Sequence, residues 1–124
     1  MPDTEARAVE TPPQAVTEAS AYPLPRFAPV APLPAVLGAL QDPVRLEMVR
    51  RLGNAGEALR CSALYETVSK STAAHHFKIL REAGLTERVI IDGNACQLLR
   101  TAEVEAALPG LLPAVLDAAN HTSE

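Results

Sequence analysis

The stretch from Ser69 to Gly84, with the hairpin signal that follows it, limits the fold of this chain more than any other feature. Ser69 reads as a helix cap, and Ser71-Thr72-Ala73-Ala74-His75-His76-Phe77-Lys78-Ile79-Leu80-Arg81-Glu82-Ala83 keeps helical spacing until Gly84 stops it. Ala73, Phe77, Leu80 and Gly84 fall on one stripe, the expected core face, while Ser71, Ala74, His75 and Lys78 fall opposite. The pattern then turns extended. Leu85 to Ile91 and Ala95 to Arg100 read as two strands, and Asp92-Gly93-Asn94 between them reads as a tight turn. A glycine-stopped helix feeding a hairpin is a helix with a wing beside it.

The rest of the chain fits around that unit. Leu33, Val36, Leu37 and Leu40 predict a helix over Pro34 to Leu40. Asp42-Pro43 predicts a cap and first turn for a second helix, with Leu46, Val49 and Leu52 inward and Gly53 as its stop. Ala58 to Arg60 reads as an extended lead-in to a third helix over Cys61 to Thr67, and Glu103 to Ala119 as a helical run broken by Pro109-Gly110 and Pro113. The order predicts a mainly α fold with a β-hairpin wing, an α+β winged helix-turn-helix over residues 33–120. Residues 1–32, with seven prolines, read as a flexible proline-rich extension in which Tyr22, Leu24 and Phe27 are the candidate tethers.

Composition narrows the function. Aromatic residues are 3% of the chain and tryptophan is absent, which disfavours a base-stacking platform for single strands. No apolar run reaches the ~20 residues that span a bilayer, the N-terminus lacks a secretion signal, and two cysteines make no disulfide framework. A cytoplasmic location with no membrane partner is therefore expected. The net charge of −4 is uneven: residues 60–100 hold six basic and four acidic groups, whereas residues 101–124 hold four acidic groups and no Lys or Arg. The positive part coincides with the helix-turn-helix. Lys70 and Lys78 suit phosphates, Ser71 and Thr72 are short groups that let a helix approach bases, His75 reaches a base or phosphate, and Arg88 offers a wing contact. Ser71 and His75 form an i, i+4 pair, but no third member or oxyanion site supports catalysis. The expected partner is double-stranded DNA, with no enzyme activity, cofactor or metal. A rival reading is a winged-helix adaptor that binds protein.

Leu40-Gln41-Asp42-Pro43-Val44-Arg45-Leu46 and the run from Ser69 through Ala83-Gly84-Leu85 resemble the two signature segments of the ArsR/SmtB family of bacterial winged-helix repressors. The resemblance extends over roughly residues 33–119 and implies a homodimer, built from the first and last helices, that binds a palindromic operator and releases it on a signal. The apolar residues Leu33, Val36, Leu37, Leu111, Leu112, Val115 and Leu116 fit such an interface independently. Three features depart from the family pattern: Ala74 stands where serine is usual, the wing tip Asp92-Gly93-Asn94 lacks the common Arg, and the N-terminal extension is extra.

The signal has several readings. Metal-sensing relatives use cysteine pairs in the third helix or acid-and-histidine sets in the last. This chain has Cys61 without a Cys-x-Cys partner, and only Asp117 and His121 near its end. His75 and His76 point about 100° apart and cannot chelate together. Cys61 and Cys96 form a candidate redox pair if the strand before the third helix pairs with the second wing strand. A small-molecule effector or a partner protein is the other alternative.

Overall fold

A computed structural model describes residues 28–123; the Tyr22, Leu24 and Phe27 tethers lie outside the described residues. Its elements are α1 (Leu33–Leu40), α2 (Pro43–Ala55), β1 (Leu59–Arg60), a 3-10 turn (Cys61–Leu64), α3 (Lys70–Glu82), β2 (Thr86–Ile91), β3 (Asn94–Leu99), α4 (Thr101–Ala107) and α5 (Leu111–Ser123). The three antiparallel strands lie in the order β1-β3-β2. Among the described residues no helix is long and apolar enough to cross a membrane.

Local chemistry sets most boundaries. The Asp42 carboxylate accepts from the backbone N–H groups of Val44 and Arg45 at 2.8 and 3.2 Å, and Pro43 fills the first turn of α2. Burial pushes the Asp42 carboxyl up, but those two N–H groups and the nearby His76 and Arg45 hold it below its ordinary value. The wing turns on Asp92 and Gly93, with φ of 52° and 79°, and Ile91 pairs with Asn94. Positive φ at both central residues is the twist that a two-residue hairpin needs. Asn94 therefore begins β3 and is not part of the turn.

Two expectations need correction. Gly53 does not end α2, which runs on to Ala55 and stops at Gly56 in the left-handed region. Gly53 serves packing: a Cβ there would lie 2.6 Å from a Leu116 methyl, so its bareness lets α5 close on α2. The third helix is a single 3-10 turn over Cys61–Leu64, not a helix to Thr67, and Tyr65 is extended. In an α-helix the Ala63 carbonyl would accept from residue 67, but Arg51 Nη1 takes it at 3.1 Å, while Glu66 pairs with the same guanidinium. Tyr65 instead meets Phe77 edge-on, with ring centroids 6.2 Å apart.

One core joins the elements: Val36, Met48, Val49, Leu52, Leu80 and Leu85 are all at most 2% exposed. The chain before α1 also packs on the domain. Arg100 Nη1 donates to the Ala28 carbonyl at 2.6 Å and to the Gly84 carbonyl at 3.1 Å, and Ala31 N–H donates to the Ala83 carbonyl at 2.9 Å. Residues 28–32 thus strap the turn that ends α3.

Candidate nucleic-acid interface

Helix α3 is built to present one face and anchor the other. The Ser69 hydroxyl accepts from Thr72 N–H at 3.1 Å and donates to Thr72 Oγ1 at 3.0 Å, so the cap also fixes the Thr72 side chain. Ser71 Oγ lies 3.2 Å from Ser69 Oγ. Ala73, Phe77 and Leu80 are buried as the stripe predicted. Lys70, Ser71, Thr72, Ala74, His75 and Lys78 are all exposed. The structure gathers the five candidate DNA-contact residues Lys70, Ser71, Thr72, His75 and Lys78 on the outward side of one helix, with the exposed Ala74 between them. Lys78 Nζ stands 4.0 Å from a Glu82 carboxylate oxygen, a surface pair that water and salt weaken. Arg88, the sixth candidate, is exposed on β2, opposite Gln97 of β3.

Behind α3 lies a contact that sequence reasoning missed. Arg45 Nε donates to the Ala39 carbonyl at 2.7 Å, and its Nη1 lies 3.1 Å from His76 Nδ1. A guanidinium has donors only, so this contact is made with Nδ1 as the acceptor. His76 is 9% exposed. Arg45 thereby ties the end of α1 to the inner side of α3. The Asp-Pro-x-Arg spacing was the available signal: it places the arginine one turn into α2, on the side facing the α1 end.

The two cysteines sit on neighbouring strands but do not face each other. Arg60 pairs with Cys96 and Leu59 with Gln97, so β1 and β3 do run together as expected. Cys61 shares the Gln97 side, where its Sγ accepts from Gln97 Nε2 at 3.6 Å, while Cys96 points to the opposite face by alternation. Both thiols are free, Cys61 half-buried and Cys96 buried. The register thus removes the geometric basis for joining them.

The apolar set assigned to an interface divides. Leu33 and Leu37 are 43% and 47% exposed, whereas Val36 and Leu112 are 0% and 1% exposed, inside the protomer's own core. Leu111, Val115 and Leu116 are half-buried against that core. An open apolar groove of about 510 Å³ between α1, α2 and α5 is lined by Leu37, Leu46 and Val115. On α5, Asp117 and His121 are exposed.

Comparison with known proteins agrees with this geometry. A family model described as a helix-turn-helix domain matches residues 40–89. The chain is 38% identical over 79 residues to the uncharacterized HTH-type transcriptional regulator YceK of Bacillus subtilis (strain 168), covering 62% of this chain and 79% of that protein. Among solved structures, the ArsR-like transcriptional regulator from Rhodococcus sp. RHA1 aligns over 73% of this chain and 86% of its own, at 26% identity and a TM-score of 0.54. The transcriptional repressor BigR from Xylella fastidiosa shares the fold over 69% of this chain and 84% of its own, at 23% identity and a TM-score of 0.54. With its capped, outward-facing α3 and its hairpin wing, the chain belongs to the ArsR/SmtB family of winged helix-turn-helix transcriptional regulators.

Proposed function

We propose that this regulator is a cytoplasmic repressor that binds a palindromic operator as a homodimer and leaves it when an effector arrives. Lys70, Ser71, Thr72, His75 and Lys78 meet the major groove, and Arg88 meets the flanking backbone. The observation that carries this reading is the outward face of α3, where short polar and cationic side chains stand exposed while the opposite stripe is locked into the core. Such a helix enters a groove of duplex DNA with its N-terminal side chains leading. Leu33 and Leu37 supply the dimer contact, because hydrophobic groups of that size left open on one helix gain from cover. Two-fold symmetry would then call for a two-fold operator.

Exposed Ile90 and Ile91 on the wing, at 58% and 45%, favour the adaptor as a second reading. Binding to duplex DNA across a salt series separates the two. A repressor loses affinity steeply as salt rises, because phosphate contacts release counterions. An adaptor shows no duplex binding to titrate.

A further inference from the structure

The stripe of α3 that carries Lys70, Ala74 and Arg81 forms one wall of a groove of about 340 Å³. Arg88 and Gln97 of the wing form the other wall, and Cys61 lies among the lining residues. Three lining side chains are cations and none is an acid. Among the described residues, the side chains of Lys70, Arg81 and Arg88 make no ion pair or hydrogen bond with other parts of the chain. Arg81 is half-buried along the groove, and no carboxylate lines the groove beside it. Lys70 and Arg81 are eleven positions apart, about 16 Å along the helix and on nearly the same azimuth. One small anion cannot touch both ends of such a span, whereas successive phosphates of a strand can. Ala74 lies between them, and its bare methyl leaves the middle of the groove open.

We propose that this groove carries the phosphates of one DNA strand, held between Arg81 on α3 and Arg88 on the wing. This rests on the DNA-binding reading above and adds Arg81 to the interface. Helix α3 then works with two stripes: Ser71 and His75 face the bases, with Lys78 on the phosphates beside them, and Lys70, Ala74 and Arg81 face a second backbone. Cys61 becomes a reporter of the groove, since a strand seated there covers a thiol that is half-exposed in the free protein, whereas Cys96 is buried throughout.

The test uses the full chain and a short duplex of random sequence at low salt, because phosphate contacts do not depend on sequence. Alkylation of Cys61 by iodoacetamide, followed by mass spectrometry, is expected to slow severalfold when the duplex saturates the protein, because the thiol loses its exposure. Millimolar inorganic phosphate alone is expected to give no protection. Arg81→Gln is expected to weaken duplex binding roughly three- to tenfold and to flatten the log–log salt slope by about one for each protomer engaged. Arg88→Gln gives a second variant on the opposite wall with the same expectation. Duplex binding with an unchanged Cys61 rate, or an unchanged slope in both variants, overturns the groove assignment and leaves the base-reading face standing. Protection by inorganic phosphate equal to that by duplex overturns the strand as occupant. Absence of any duplex binding by the unaltered chain overturns both proposals.

Discussion

Arg45 and His76 are 31 positions apart, and their contact ties α2 to the inner side of α3. Replacing Arg45 with alanine removes two donors and leaves the Ala39 carbonyl and His76 Nδ1 short of partners. The expected loss is about 1–3 kcal/mol in urea denaturation, and Arg45→Lys should not restore it, since an ammonium puts its donors on one nitrogen and lacks the planar fork that spans both acceptors. His75 makes the opposite prediction. It is exposed, so His75→Ala should leave the melting temperature unchanged and weaken operator binding about fivefold, the worth of one hydrogen bond; unaltered affinity in a fluorescence titration counts against its role. The contrast shows what the sequence made legible at this scale. Outward residues could be assigned from helical period alone, because water needs no partner named. Arg45 could not be, because its two acceptors come from other elements.

Elements were legible where a local signal closes them and obscure where a distant side chain intervenes. Ser69, Asp42 and the Asp92-Gly93 turn act within their own segments, and the structure follows them. The 3-10 turn after β1 departs because Arg51, from α2, takes the Ala63 carbonyl. Gly84 combines both kinds of constraint: its φ is 81°, and a Cβ there would stand 2.5 Å from the Pro29 carbonyl oxygen. Gly84→Ala should cost about 2 kcal/mol or more, since left-handed backbone strain adds to a backbone collision. Hydrogen exchange at the Ala31 amide should quicken as the strap lifts; unchanged exchange would show the strap held by other contacts. Helix α2 carries a pH signature. Bidentate hydrogen bonds from Arg50, and a further one from Arg51, hold the Glu47 carboxyl at about 2 against burial, which pushes it up. A folded pKa below the ordinary 4.5 stabilises the protein above that pH, and the contribution fades as pH falls from 4.5 towards 2. The stability difference between the unaltered chain and Glu47→Gln should shrink over that window in acid titrations followed by circular dichroism.

At the scale of the whole molecule, the sequence announced the architecture because period, cap and turn signals all agreed on one winged arrangement. It could not sort the apolar residues of α1, since Val36 and Leu37 differ only in which side of a short helix they occupy. The structure separates them, 0% against 47% exposed, and so separates two experiments. Leu37→Glu should keep the protomer folded and shift sedimentation from dimer to monomer, whereas Val36→Glu should unfold the protein. A dimer that survives Leu37→Glu would mean that the subunits meet elsewhere. Gene control by this chain requires α3 to meet duplex DNA with its open side. The proposed dimer presents six exposed cations through Lys70 and Lys78 of α3 and Arg88 of the wing, so the logarithm of the duplex association constant should fall against the logarithm of salt concentration with a slope of about −5 or steeper. A slope near zero, or no binding at low salt, would contradict it.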